Sequence, residues 1–240
     1  MKTRILFLSA SALAVAAAIA GATFAPQARS EDAGPPPMPP PSSFSAHVDN
    51  PWFPLLRGTR WVYTGVKDGK ATRDVVTVTN QTKTIEGVPC VAVHDRLYMR
   101  GRLEERTTDW YSQDSHDNVW YFGENTAELD AQGHVTSTEG TWKAGVSGAQ
   151  AGIYIPGNPR LGQTGLQEFL KGHAEDHFKI IGLFDTVAPP GKANTLLTKE
   201  WTPLEPGVID HKMYVRGIGN VLEQSQRGPN ERNELISVRR

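Results

Sequence analysis

His173 and His177, four residues apart with Glu175 and Asp176 between them, form the most metal-like arrangement in the chain. On a helix the two imidazoles would share a face and, with Asp176, offer the donors that Zn²⁺ or Cu²⁺ takes. On a strand the same separation stretches to roughly 13 Å, too far for one ion. Gly172 stands directly before the pair and argues for a helix stop there. A solvated polar turn is therefore the expected state, with metal binding the alternative.

Asp95 and His211 attract attention by their setting. Alternation along residues 91–99 puts Asp95 on the face of Val91, Val93, Leu97 and Met99. The same rule along residues 209–215 puts His211 with Ile209, Met213 and Val215. Both are then aimed at an apolar interior, where a charge needs a partner. Two readings stay open. They are a satisfied core pair, or they fix the polar end of a ligand in a cavity, with Tyr98 and Trp120 as further ligand contacts.

Other signals are weaker. Gly145-Val146-Ser147-Gly148-Ala149 lacks the last glycine of a nucleophile elbow and its strand-to-helix context. Residues 113–118 carry the oxygen donors of a weak Ca²⁺ loop but fit a hairpin tip. Cys90, the single cysteine, sits in the apolar run Val88-Pro89-Cys90-Val91-Ala92-Val93 and reads as a small buried hydrophobe. No phosphate cradle or dinucleotide fingerprint is present, so no cofactor is expected.

The elements that must position these groups are strands. The stretch 109–142 holds three of the six tryptophans in aromatic and β-branched runs separated by Asp, Asn, Gly and Ser. Trp120 reads there as a core aromatic of the central hairpin. Strands are predicted at 60–66, 74–79, 82–86, 88–99, 103–112, 118–122, 126–130 and 135–142. They resume at 178–183, 194–201, 208–215, 220–226 and 233–238. Pairs such as Asp68-Gly69, Glu86-Gly87 and Gln132-Gly133 mark the turns. Thr164-Gly165-Leu166-Gln167 resembles a helical capping box, although a strand reads nearly as well there. The expected fold is all-β: an antiparallel meander curled into an open barrel or half-barrel, with at most one or two short helices. Asn50-Pro51-Trp52-Phe53-Pro54-Leu55 cannot be regular helix and must bury its aromatics, so it reads as an irregular arm that plugs one end.

Lys2 and Arg4 precede an apolar run from Ile5 to Ala20, followed by Ala20-Gly21-Ala22. Residues 1–22 therefore read as a Sec-type signal peptide without a lipobox, which predicts a periplasmic or extracellular protein without stable membrane insertion. Residues 23–45 are Pro-rich and read as a disordered spacer, and 46–240 as a single β domain. Lys plus Arg number 25 against 26 for Asp plus Glu, so no broad basic field exists to attract nucleic acid.

The Asn-Pro-Trp-Phe-Pro-Leu arm, Gly58-Thr59-x-Trp61-x-Tyr63, Asn118-Val119-Trp120-Tyr121-Phe122-Gly123-Glu124 and Ser137-Thr138-Glu139-Gly140-Thr141-Trp142 together resemble a family of exported bacterial β proteins of unassigned function. The Gly217-x-Gly219 junction is similar to a broader set of exported lipoprotein-like domains, which implies a half-closed antiparallel barrel. The resemblance brings no catalytic residues. Arg57 departs from it where members carry Pro, and His173 and His177 are not shared, so any role for them would belong to this chain. Three functions follow as expectations. The first is a non-catalytic binding or carrier module for a small apolar or amphipathic ligand. The second is an envelope interaction module with a filled core. The third is a hydrolase or isomerase using Asp95 and His211, or the His173–His177 cluster, as acid and base.

Overall fold

The computed structural model describes residues 34–188 and 191–240. The expected signal peptide and the first part of the spacer lie outside them. Strands are numbered in chain order. The chain begins with a short β1 (Phe44–Ser45) and four long strands: β2 (Arg60–Lys67), β3 (Lys70–Ile85), β4 (Val88–Met99) and β5 (Arg102–Asp114). It continues through β6 (Val119–Leu129), β7 (Val135–Ser137), β8 (Trp142–Lys143), β9 (Gln150–Ile155), β10 (Thr164–Leu166) and β11 (Glu168–Phe169). It ends with β12 (His177–Ala188), β13 (Gly191–Trp201), β14 (Ile209–Val215), β15 (Gly219–Arg227) and β16 (Glu231–Arg239).

Tight turns set the hairpin registers. Asp68-Gly69, Glu86-Gly87 and Arg100-Gly101 all have positive φ at both central positions, the geometry whose twist matches that of the flanking strands. The meander runs from β12 through β16 to β2 and on to β6 and β9, all antiparallel. The segment read as a capping box is extended instead, and it nearly closes the barrel. Thr164–Leu166 pairs with His177–Lys179 at one sheet edge, while Glu168 and Phe169 pair with Ala151 and Gln150 at the other. Between them the Gln167 amide donates to the Asp176 carbonyl at 2.7 Å. These cross-barrel hydrogen bonds offset the local helical preference, because each satisfies an edge group that would otherwise face water or stay unpaired.

The arm occupies one end of the barrel. Asn50 Oδ1 accepts from the amides of Trp52 and Phe53, the Asn50 backbone amide donates to the Gln113 side chain at 2.8 Å, and Gly217 donates to the Pro51 carbonyl. Phe53 is thereby pushed inward onto Tyr111 and Tyr154. The last part of the Pro-rich run is not free. Met38 packs on the core, and Phe44 is 8% exposed, edge-on to Trp120 and Phe122. Burying that ring offsets the entropy of ordering a chain already stiffened by proline. Burial also pushes the Cys90 thiol up to about 12, which leaves it an inert packing group.

One bulge decides what faces inward. Trp110 pairs with Gly123 and Tyr111 with Tyr121, so Phe122 is an extra residue on β6. The alternation skips a beat there, and Tyr121 and Glu124 both project to the interior while Trp120 and Phe122 project the other way. Gly123 sits at the bulge with φ +136, and a Cβ on it would lie 2.5 Å from the Trp142 carbonyl oxygen. Gly123→Ala is expected to destabilise the fold by about 1–3 kcal/mol and to slip the β6 register. A urea midpoint equal to wild type would show that the bulge is not held by this glycine.

Candidate functional site

The barrel encloses a cavity of about 260 Å³. Strand alternation on β5 contributes Glu105, Thr107, Asp109 and Tyr111 to it, every second residue. β3 and β4 add Asp74, Val76, Val93 and Asp95, and β6 adds Tyr121 and Glu124. On the other side stand Glu200, Asp210, Lys212 and Glu223, and the closure segment supplies Gln167 and Glu168. Among the described residues, ten carboxyl side chains line the cavity against one amine, Lys212. Six aromatic residues, Phe53, Tyr63, Tyr111, Tyr121, Tyr154 and Trp201, also line it, among valines and uncharged polar side chains. Tyr111 and Tyr121 stack at 4.8 Å, and Phe53 lies 4.8 Å from Tyr154.

The two sides are electrostatically different. Lys212 Nζ sits 3.0 Å from Glu200 and 3.6 Å from Glu223. Burial alone would lower its pKa, but those two carboxylates hold it well above the ordinary lysine value, so it stays charged. Thr198 and Tyr214 also donate to Glu200, and Ser225 donates to Asp210.

Among the described residues the β3 to β6 side has no lining amine or guanidinium. Asp74 and Asp95 interact across β3 and β4, and two such neighbouring buried carboxyls favour a proton on one of them. Burial, then the charge of Asp95, raises Asp74 well above the usual carboxylate range. Asp109 accepts from the Tyr121 hydroxyl at 2.7 Å, yet burial and Asp95 still push it up to about 7. Glu105 is likewise raised to about 7 by burial and Asp95, and Asp210 to about 8 by burial and Glu223. Glu124, directly opposite Asp109, is raised well above normal by burial and by Glu168. Facing carboxylates on adjacent strands repel, so protons or cations must sit among them.

The sequence-predicted residues divide. Asp95 lines the cavity, as alternation placed it. His211 does not. Asp210 and Lys212 take the interior positions of β14, and His211 turns outward opposite Lys199, where burial and that lysine lower its pKa. The expectation failed because it assumed an apolar interior, whereas here the apolar Ile209 and Met213 share the outward, half-buried face. Asp95 and His211 thus cannot act as an acid–base pair. Tyr98 is half-buried and away from the cavity. Trp120 is also outside it, on the opposite face of β6, with Nε1 donating to Asp114 at 2.8 Å.

The histidine cluster does not assemble. His177 begins β12 and stacks on Trp201 at 5.3 Å, whereas His173 Nε2 lies 3.1 Å from the Thr141 carbonyl oxygen. Asp176 faces the cavity instead. Among the described residues no three His, Cys, Asp or Glu side chains are grouped to hold a metal ion. Extended backbone at His177 separates the pair, the outcome that Gly172 foreshadowed.

No family model matches the chain, and no curated protein matches it. Among solved structures it is similar to a candidate exported protein with a YmcC-like fold from Bacteroides fragilis NCTC 9343. That match is 14% identical with a TM-score of 0.43, and it covers 79% of this chain and 99% of the other. A candidate lipoprotein from Parabacteroides distasonis ATCC 8503 is 11% identical with a TM-score of 0.40, covering 78% of this chain and 98% of the other. Among the described residues no helix is long and apolar enough to cross a membrane.

Proposed function

We propose that this is an exported, non-catalytic binding module whose cavity takes a small organic cation: an amine with apolar flanks. The carrying observation is the lining itself, ten carboxyls and an aromatic wall with a single protein amine among the described residues. An uncharged apolar ligand would leave Asp74, Asp95, Glu105, Asp109 and Glu124 with no cation lining the cavity beside them among the described residues, at a cost of several kcal/mol, so the amphipathic ligand expected from sequence is narrowed to a cationic one. Tyrosine and phenylalanine faces attract ammonium groups as well as covering methylenes. A filled interior, the expected mark of an inert envelope module, is not what the barrel has. Export rests on the signal-peptide pattern of residues 1–22.

Calorimetric titration with n-pentylamine and with n-pentanol tests the reading. The amine is expected to bind and the alcohol not. Affinity for the amine is expected to rise at least tenfold from pH 5 to pH 8, because Glu105, Asp109 and Asp210 are protonated at the lower pH and their protons must leave when the cation enters. Equal binding of amine and alcohol, or binding only of carboxylates, would overturn it.

A further inference from the structure

The near-balanced charge of the chain hides a separation between inside and outside. Among the described residues, ten of the 26 acidic side chains line the cavity but one of the 25 basic ones, which leaves 24 Lys and Arg against 16 Asp and Glu elsewhere. The excess persists, 22 against 16, once Lys2 and Arg4 of the leader are set aside. It shows on the outer surface of β12 to β16, because acids of those strands turn the other way: Glu200, Asp210 and Glu223 line the cavity, and Glu231 is buried. Residues paired directly across an antiparallel ladder share a face. The register therefore carries Lys179, Lys199, His211, Gln224 and Arg232 outward in one row over five strands. The acid on that face is Glu234, paired with Arg232 at 2.8 Å.

Lys179 and Lys199 stand directly opposite each other, an arrangement of like charges that costs stability, and neither has a carboxylate partner among the described residues. Lys199 Nζ instead lies over the Trp201 ring, 4.8 Å from its centre. Apolar side chains flank the row. Trp201 and Ile209 follow on one side, and on the other Leu197, Met213 and Leu222 face one another across β13, β14 and β15, all half-buried. The Phe184 ring folds back over Gly182 beside Leu197, since a Cβ on Gly182 would lie 2.8 Å from the ring and 3.2 Å from the Leu197 Cβ. Leu183 and Phe184 are consecutive, so they project to opposite faces of the β12–β13 hairpin, and they are 41% and 42% exposed. A partner docked on one face would cover one of them, whereas a hairpin dipping into an apolar layer covers both.

We propose that this outer face binds, peripherally, the surface of a bilayer rich in anionic phospholipid. Lys179 and Lys199 meet the headgroup phosphates, with Arg232 at the margin, while Leu183 and Phe184 settle at the boundary between headgroups and acyl chains. A soluble polyanion would satisfy the lysines and leave both apolar side chains in water. A flat membrane touches a convex sheet along two or three strands, so the β12–β13 hairpin carries most of the contact.

Cosedimentation with vesicles tests this, using the chain without residues 1–22, whose apolar run would bind lipid by itself. Vesicles of one part phosphatidylglycerol to three parts phosphatidylcholine are compared with phosphatidylcholine alone. The anionic vesicles are expected to bind about tenfold more tightly or better, and added salt should release the protein. Lys179→Glu combined with Lys199→Glu should lower the affinity to that for phosphatidylcholine. Phe184→Ser should weaken binding by roughly threefold or more, the apolar contribution being lost. Thermal melts check the folding of both variants. Equal binding to the two vesicle types, or none to the anionic ones, would overturn the proposal. Undiminished vesicle binding by Phe184→Ser would overturn it too, since the row would then read charge alone, as it would on a soluble polyanion such as heparin. The wild-type comparison decides the matter even if a variant fails to fold.

Discussion

The protein is expected to resist heat better at pH 5 than at pH 8. Glu105 and Asp109 titrate at about 7 in the folded state and Asp210 at about 8, against about 4 for carboxyls in an unfolded chain. Between those values the folded protein binds more protons than the unfolded one, so stability falls as pH rises through the window. The stabilisation is complete below about pH 4 for these groups and is lost above their folded values. A tenfold change in a carboxyl's proton affinity on folding is worth about 1.4 kcal/mol, and several groups share the wall, so the loss is on the order of several kcal/mol. Thermal unfolding from pH 4.5 to 8.5 measures it. A melting midpoint that is flat or rises between pH 5 and 8 would show that these carboxyls are ionised and solvated. Asp109→Asn, which removes a titrating group without changing the shape, should flatten the dependence. A bound cation should flatten it too, since it neutralises the wall at high pH.

Trp120→Ala is expected to cost about 3–5 kcal/mol. The indole is 2% exposed, meets Phe44 edge-on at 5.8 Å and donates to Asp114 Oδ2 at 2.8 Å. Truncation therefore opens a cavity and strips a donor from a buried carboxylate at once. Asp114 also caps the hairpin tip, accepting the amides of His116 and Asn118, so the turn should loosen with it. Amine binding should be nearly unchanged in any fraction that stays folded, because Trp120 does not face the cavity. A denaturant midpoint equal to wild type would remove Trp120 from the core, and loss of ligand without loss of stability would return it to the binding site.

Much of the architecture was readable from local chemistry. Positive φ at Asp68-Gly69 and Glu86-Gly87 is what those dipeptides favour, and the strands between such turns are the runs whose residues alternate. The arm was legible because two prolines forbid a helix while Trp52 and Phe53 must be covered. Asp95 was found because it interrupts an otherwise apolar face. These signals act over a few residues, and a sequence carries them intact.

Which face of each strand became the interior was decided only by the tertiary structure. Alternation defines two faces but does not label them, and the usual label, apolar inward, misassigned β14, where Asp210 and Lys212 face the cavity and His211 does not. The bulge at Phe122 brought Glu124 to the same side as Tyr121, a phase change with no marker beyond a glycine. The carboxyl-lined wall needs β3, β4, β5 and β6 side by side, and Thr164–Leu166 became a strand only because β12 offered its edge. Carboxyl proton affinities raised by burial and by neighbouring carboxylates exist only once distant strands meet. The sequence determined which residues could alternate and turn; barrel closure, a sum of long-range hydrogen bonds, chose the side on which ten carboxyls face each other.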